Sequence, residues 1–395
     1  MTATLAQLPG TDSRLRRGDE GFTRVAIAMF AAGAAIFALL YSVQAVLPQL
    51  SAAFHVTPAG AGLAMSAPAA ALAFAIIPAS ALSERWGRAR VLITSVGLAA
   101  LLGVLLPLSP TYAALLGLRT LQGFAMAGMP AVAMAYLADE IHPSALAGAV
   151  GTFVAGNGLG GLAGRMLAGG VGGWRLGLAA VSALSVGCAI AFAVLLPAQR
   201  NPSVRTGGAL RRHLGNPALR RLYVAGFVLM GGFVTIYNYL SYRLLHPPFS
   251  LTPRLVGLIF LAYLAGTAAS AWAGRLADRH GARVVLRGAV LLAALAAAVT
   301  LPDSLPAVLA GLVLVTAGFF AAHAVASGWV GRLAETARGQ AAGMYLFAYY
   351  AGSSLGGWVG GLVFERAGWT ATVGYVVAMF AAALLPTLRA RRYTS

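Results

Sequence analysis

Two arginines lie inside long apolar runs of the chain. Arg119 lies about eight residues into one run, and Arg165 lies about five residues before the end of the next. A charged side chain at the centre of a membrane helix costs about 2.5–3.5 kcal/mol on insertion scales, so each should face a cavity or a partner. No Asp or Glu lies in the middle of any run. Buried arginines without acids favour a neutral or anionic ligand over a cation.

Three titratable side chains are candidates for carrying a proton. Asp139 and Glu140 follow the apolar run that contains Arg119, and His323 lies inside a later run. An imidazole titrates near neutral pH, so His323 could take up and release a proton. The alternative is that His323 is a hydrogen-bonded packing residue.

Polar and aromatic side chains inside the apolar runs are candidates for lining a cavity. Tyrosines combine an apolar ring with a hydroxyl, which suits amphipathic ligands, although they are also enriched at membrane interfaces. The candidates are Tyr41, Gln44, Asn157, Tyr237, Asn238, Tyr345 and Tyr349.

The sequence lacks the residues that several classes of function require. The six histidines are scattered without metal-ligand spacing, and the single Cys188 allows neither a disulfide nor a multi-cysteine metal site. No nucleophile with its base and no phosphate-binding Walker loop is present, so we expect no enzyme activity, no cofactor and no direct use of ATP. The net charge of +18 comes from arginines in short loops, so no basic face is left for nucleic acid.

Apolar runs of membrane-spanning length dominate the chain. Of its 395 residues, 59% are hydrophobic and 10% are charged, whereas soluble domains carry about 25% charged residues. A helix of about 20 apolar residues crosses a bilayer core of about 30 Å. The first run is too long for a signal-peptide core, so we expect it to be retained. The predicted spans are 22–47, 59–81, 89–107, 111–136, 145–170, 174–197, 219–245, 254–274, 283–301, 305–330, 337–363 and 369–388.

The arginines fall on one side of these spans. Of the 28 arginines, 22 lie in the two termini and in the loops that share their side, and only Arg175, Arg243, Arg254 and Arg366 lie in the opposite loops. The positive-inside rule therefore predicts a multi-pass protein of a bacterial inner membrane with both termini in the cytoplasm.

The two halves of the chain repeat each other. Residues 81–92 recur at 275–286, so that Gly87 matches Gly281, and Leu-Gly-Gly at 159–161 recurs at 355–357. Four such landmarks keep an offset of 194–196 residues. We therefore predict an all-α membrane protein of twelve helices in two six-helix halves. The predicted parts are a tail (1–21), a first bundle (22–198), a linker (199–218), a second bundle (219–388) and a tail (389–395).

Three motifs resemble those of the major facilitator superfamily. Residues 274–283, Gly-Arg-Leu-Ala-Asp-Arg-His-Gly-Ala-Arg, resemble its loop 2–3 signature, and the first-half copy departs from it at Ser80 and Glu84. Residues 119–128, which begin with Arg119 and include Gln122, resemble its span 4 motif. Residues 156–165 resemble the glycine-rich span 5 motif of its exporters without the usual proline. The resemblance covers nearly the whole chain after residue 20.

The resemblance implies transport by alternating access, with the loop 2–3 charges latching the cytoplasmic side. The implied gate residues are Glu84, Arg85, Gly87 and Arg88 in the first half and Asp278, Arg279, Gly281 and Arg283 in the second. Because Arg119 lies in the span 4 motif, we expect Arg119, with Gln122, to matter more for substrate or proton coupling than Arg165. The side chain of Arg165 could instead reach outward to the interface.

The function expected from these features and the resemblance is proton-coupled export of a drug-like, sugar or organic-anion molecule. The resemblance also implies that the protein acts as a monomer. Uptake of a small anion or sugar is the alternative within transport. A membrane sensor without transport activity is a further alternative, although no sizeable soluble signalling domain is present.

Two stripes of glycine leave one helix face without side chains. They recur every four residues, at Gly156, Gly160 and Gly164 and at Gly352, Gly356 and Gly360. Such a face lets a second helix approach closely. The glycine stripes could pack two helices together in a fixed arrangement, or they could form a contact between the halves that slides or flexes during transport.

Overall fold

The computed structural model describes residues 13–197, 199, 210–334 and 336–388, and it is almost entirely helical over these ranges. Eleven helical stretches are long and apolar enough to cross a membrane. The last of them, Arg338–Leu388, contains Gly368 with a φ of 71°, which breaks it into two helices. The predicted all-α membrane fold is therefore confirmed, with twelve helices of membrane-spanning length in the described part of the chain.

The helices are α1 (Glu20–Phe54), α2 (Pro58–Trp86), α3 (Arg88–Leu108), α4 (Tyr112–Glu140), α5 (Pro143–Gly170), α6 (Trp174–Leu195), α7 (Pro217–Leu245), α8 (Pro253–His280), α9 (Ala282–Val299), α10 (Leu305–Leu333), α11 (338–367) and α12 (369–388). A short helix, Leu210–Gly215, precedes α7. We call the end of the bundle that bears Leu15 and the α2–α3 loop the inner end, and the opposite end the outer end. The predicted assignment of the inner end to the cytoplasm remains a prediction, as do the domain boundaries. Residues 1–12, 200–209 and 389–395 of the predicted tails and linker lie outside the described residues.

Helix α1 continues beyond the predicted end at residue 47. It tightens into a 3₁₀ turn at Val43–Val46 and resumes as an α-helix over Leu47–Phe54. Pro48, which reads as a helix stop in the sequence, occupies the first turn of this last segment, where its missing N–H costs nothing. The 3₁₀ turn interrupts the regular hydrogen-bond pattern of α1 near Leu39 and Leu40.

Glycines at equivalent positions turn the chain in both halves. Gly87 and Gly281, which end α2 and α8, have φ values of 91° and 85°. Gly173 and Gly368, which precede α6 and α12, have φ values of 79° and 71°. Only glycine adopts such angles without strain. The internal repeat therefore extends to the last helix of each half.

The glycine stripes pack helices within each half. A Cβ atom at Gly156, Gly160 or Gly164 of α5 would lie 2.3–2.5 Å from backbone atoms of α1, and one at Gly352, Gly356 or Gly360 of α11 would lie 2.0–2.6 Å from atoms of α7. The alternative of a seam between the halves is therefore wrong. Each stripe joins two helices of the same half.

The segment before α1 pairs with the loop between α4 and α5. The N–H of Leu15 donates to the carbonyl of Glu140 (2.8 Å), and the N–H of His142 donates to the carbonyl of Leu15 (2.9 Å). The Leu15 side chain is 5% exposed and belongs to the apolar core. This contact was not predicted, because a single apolar residue in a polar tail gives no periodic signal.

Candidate functional site

Arg165 lies where the two halves meet. Its Nε donates to Gln44 Oε1 (2.8 Å), its Nη1 to the Gly161 carbonyl (2.8 Å) and its Nη2 to the Tyr263 hydroxyl (3.0 Å). Its Cζ atom lies 4.3 Å from the ring centroids of both Tyr41 and Tyr263, so two aromatic rings contact the guanidinium. The side chain is 1% exposed and does not reach outward as the sequence allowed.

A chain of hydrogen bonds extends from Arg165 across the contact between the halves. Gln44 Nε2 donates to Asn238 Oδ1 (2.7 Å), so Gln44 links Arg165 of α5 to Asn238 of α7. Nearer the outer end, the Ser51 and Tyr242 hydroxyls lie 2.7 Å apart and join α1 to α7 again. We call Arg165, Gln44, Asn238 and Tyr263 the polar latch.

The repeat itself places Gln44 opposite Asn238. The two residues are 194 apart, which is the offset of the internal repeat. Equivalent positions on equivalent helices meet where those helices lie beside the axis that relates the halves. The offset of the repeat is therefore the feature of the sequence that could have predicted this pair.

An aromatic cluster of the second half adjoins Arg165. Phe233 stacks on Phe319 with centroids 3.8 Å apart, and the Tyr237 hydroxyl lies 2.7 Å from Thr316 Oγ1. Tyr263, which contacts Arg165, packs edge-on against Phe233. Tyr263, Phe260, Phe319 and Phe320 were not predicted from the sequence, because aromatic residues in apolar spans resemble ordinary lipid-facing or core residues.

His323 belongs to the same cluster. Its Nδ1 lies 3.0 Å from the Tyr345 hydroxyl, and its ring centroid lies 4.7 Å from that of Tyr349. The ring also stacks parallel to Phe319, at 6.1 Å. The predicted candidates His323, Tyr345 and Tyr349 therefore lie together in one cluster.

Arg119 is enclosed within the first half. Its Nε donates to the Ala64 carbonyl (3.0 Å), and its Nη1 and Nη2 donate to the carbonyls of Leu39 (3.0 Å) and Leu40 (2.8 Å). Its Nη1 also donates to Gln122 Oε1 (2.6 Å). The side chain is 0% exposed. The carbonyls of Leu39 and Leu40 lie just before the 3₁₀ turn of α1, so Arg119 completes the hydrogen bonding of a loosened helix. This geometry favours a structural role.

Asn157 also lies away from the polar latch. Its Oδ1 occupies the space over Gly33 of α1, where an added Cβ would lie 2.3 Å from it. Asn157 therefore packs between α5 and α1 rather than against the second half. Its predicted role in lining the cavity remains without a structural observation in its favour.

The two copies of the loop 2–3 motif differ at the inner end. In the first half, Arg88 is buried, its Nη1 lies 3.0 Å from Asp139 Oδ2, and its backbone N–H donates to Gln199 Oε1 (3.0 Å). In the second half, Asp278 and Arg279 are exposed. Arg88 thus pairs within its own half. The predicted gate charges of the second half lie at the inner end, where Arg283 is half-buried.

The halves meet along α2 and α11, where Phe74 and Phe347 have ring centroids 6.0 Å apart, and again at the outer end. Besides the polar latch, the outer ends of α5 and α8 approach at Gly169, where an added Cβ would lie 3.8 Å from the Gly257 Cα. A buried site at the interface of two repeated halves is the arrangement expected for a carrier that rocks about a central ligand.

Comparison with known proteins identifies the family. The sequence profile described as Major Facilitator Superfamily matches residues 25–246 and 222–394. The chain belongs to the major facilitator superfamily. It is therefore a secondary transporter that acts on small molecules across a membrane, and not an enzyme. The predictions of family, fold and transport are confirmed at this level.

Two curated relatives and one solved structure match most of the chain. The inner membrane transport protein YnfM of Escherichia coli is 39% identical over 96% of this chain and 93% of its own length. The uncharacterized MFS-type transporter YybF of Bacillus subtilis is 37% identical over 94% of both chains. A bacterial homologue of the human lysosomal transporter Spinster, solved in an inward-facing and occupied conformation, superposes with a TM-score of 0.77 at 17% identity, covering 94% of this chain and 96% of that one.

Proposed function

We propose that this transporter exports a small organic anion in exchange for protons, and that Arg165 binds the anionic group. The observation that carries the proposal is a buried guanidinium at the contact between the halves whose described partners are all uncharged. Among the expected substrate classes of drug-like molecules, sugars and organic anions, this charge favours the anion. Leaving a buried arginine without a counter-charge is costly, and a bound anion would remove that cost.

The rings around Arg165 favour an aromatic or otherwise flat substrate. Tyr41 and Tyr263 both contact the guanidinium, and Phe233 and Phe319 extend the apolar surface beside Tyr263. A carboxylate can accept paired hydrogen bonds from the planar guanidinium. An adjoining ring of the substrate would stack on the aromatic cluster.

His323 is the side chain we propose as the proton carrier, since it shares the aromatic cluster with Tyr345 and Tyr349. Asp139 is a weaker candidate because Arg88 already pairs with it. Export, rather than uptake, is supported by the glycine-rich motif of α5, which resembles that of exporters. We further propose an inner-membrane monomer with both termini in the cytoplasm, on the basis of the arginine distribution.

The experiment is flux into proteoliposomes under an imposed pH gradient of either sign. The substrates are aromatic carboxylates, each paired with its neutral amide and with an amine of the same shape. We expect movement of the carboxylate against protons. Arg165→Gln should weaken its transport about 30-fold, because a hydrogen bond to a charged group contributes about 2 kcal/mol.

The matched control is Arg254→Gln, which removes an exposed arginine near the outer end. It should transport normally. Transport of amines alone, unaffected by Arg165→Gln, would overturn the proposal. Co-movement of carboxylate with protons would show uptake instead of export.

A further inference from the structure

A groove lies at the seam of the two halves, away from Arg165. It is formed by α2 of the first half together with α7 and α11 of the second, and its volume is about 460 Å³. Its lining is apolar apart from one serine and one tyrosine hydroxyl. The lining residues are Ala70, Ala73, Phe74, Tyr223, Val224, Phe227, Phe347, Ala348, Ala351, Ser354 and Leu355.

The groove faces away from the aromatic cluster. Ala351 follows Tyr349 by two residues, which is about 200° around the axis of α11. Three lining side chains are largely uncovered, since Phe74 is 70%, Leu355 54% and Val224 52% exposed. Helices α1, α5, α8 and α10, which hold most of the groups around Arg165, contribute none of the lining. In a membrane protein, such an apolar side opening faces lipid tails.

A positive charge stands at the inner end of the groove. Arg220 lies in the first turns of α7, and Val224 and Phe227 follow it at the spacing that puts all three on one helix face. Arg220 is exposed and forms no ion pair within the described ranges. It lies about 10 Å from Phe227 along the helix axis. An arginine above an apolar groove is complementary to a phosphate above an acyl chain.

We propose that the groove binds an acyl chain of an anionic phospholipid from the inner-end leaflet, with Arg220 on its phosphate. The tail alone cannot select this site, because lipid tails are as apolar as the side chains they would replace. Selectivity must come from the head group. A basic residue near an anionic surface contributes about 1 kcal/mol, which is about fivefold in occupancy.

Both halves build the groove, so its occupancy depends on conformation. Ala70, Ala73 and Phe74 move with the first half, whereas Val224 and Ala351 move with the second. The groove exists in this structure, in which the outer end is closed. A lipid that binds only this arrangement stabilises it by mass action.

The test is photolabelling of the full-length protein in vesicles. The probe is phosphatidylglycerol with a diazirine in one acyl chain, compared with phosphatidylcholine carrying the same chain. Peptide mapping should place the label on residues 347–355 or 223–227. Arg220→Ala should lower the phosphatidylglycerol label about fivefold, to the level of phosphatidylcholine. Ala351→Trp should abolish the groove label by filling the space. Ala348→Leu should reduce the label less, because leucine fills less of the groove.

Two variants serve as controls. Arg24→Ala removes an exposed arginine at the inner end of α1, and Leu295→Trp enlarges a side chain that is 70% exposed on α9. Both should leave the groove label unchanged. Equal labelling by the two lipids, or a label that survives both Ala351→Trp and Ala348→Leu, would overturn the proposal. Displacement of the label by a transported carboxylate would also overturn it, because the groove would then admit substrate.

Discussion

Gln44 should decide how firmly the outer end stays closed. Gln44→Leu removes the acceptor for Arg165 Nε and the donor for Asn238 Oδ1 while keeping a side chain of similar size. A hydrogen bond to a charged group contributes about 1.5–3 kcal/mol and a neutral one about 0.5–1.5 kcal/mol. The closed arrangement should therefore lose about 2–4 kcal/mol relative to an open one in which water solvates both groups, which is a population shift of about 30- to 1,000-fold.

A cross-link across the outer end measures this shift. Gly169→Cys and Gly257→Cys place two thiols where α5 and α8 approach each other, in a Cys188→Ser background that removes the native thiol. A short bifunctional thiol reagent should join them rapidly when the outer end is closed. Adding Gln44→Leu should slow the reaction in proportion to the fraction of closed molecules that is lost.

Ser42→Ala is the matched control, since Ser42 lies on the same turn of α1 and its hydroxyl bonds within its own helix, to the Leu39 carbonyl. It should leave the cross-linking rate unchanged. The reasoning fails if Gln44→Leu cross-links as fast as the parent pair, because the polar latch would then contribute nothing to closure.

Three further predictions concern packing and the inner gate. Arg119→Ala should lower the free energy of unfolding in detergent by about 3 kcal/mol, because it removes a charged donor from the carbonyls of α1 and α2. An unchanged melting curve would argue against a structural role. Gly160→Leu should prevent a monodisperse peak in size-exclusion chromatography, since its side chain collides with the backbone of α1, whereas Gly158→Leu should not, since nothing lies within 4 Å of its Cβ position. Asp278→Asn should slow flux with a normal melting curve, because the exposed carboxylate is needed only when the inner end closes; unchanged flux would remove it from the gate.

The fold was predictable because a bilayer leaves few choices. Backbone groups in hydrocarbon must be satisfied within helices or closed barrels, so long apolar runs fix the number of spans. The repeat then fixes how the spans are grouped. The kink at Gly368 was predicted as a boundary between spans, and the equivalent Gly173 marks the same boundary in the first half.

The roles of the two buried arginines were not predictable. Both lie in apolar runs, and the sequence favoured Arg119 through its motif. The 3₁₀ turn of α1 at Val43–Val46 leaves nearby carbonyls without regular helical partners, and Arg119 donates hydrogen bonds to two of them. Arg119 is therefore held inside the first half, and Arg165 is the buried arginine that faces the other half. Periodicity does not reveal such a turn. The positions of Arg165 and Tyr263 follow from how α5 meets α8, which is a contact between distant parts of the chain.

The pairing of Leu15 with the strand-like turn at Ile141 has a consequence for synthesis. Leu15 leaves the ribosome early, but its partner follows about 126 residues later, after four helices have entered the membrane. At about 5–20 residues per second, the segment waits about 6–25 s for its binding place. During that interval the first helix lies in the membrane without the backbone hydrogen bonds that later fix the segment before it. Docking of this segment therefore marks the completion of α4 in the nascent chain.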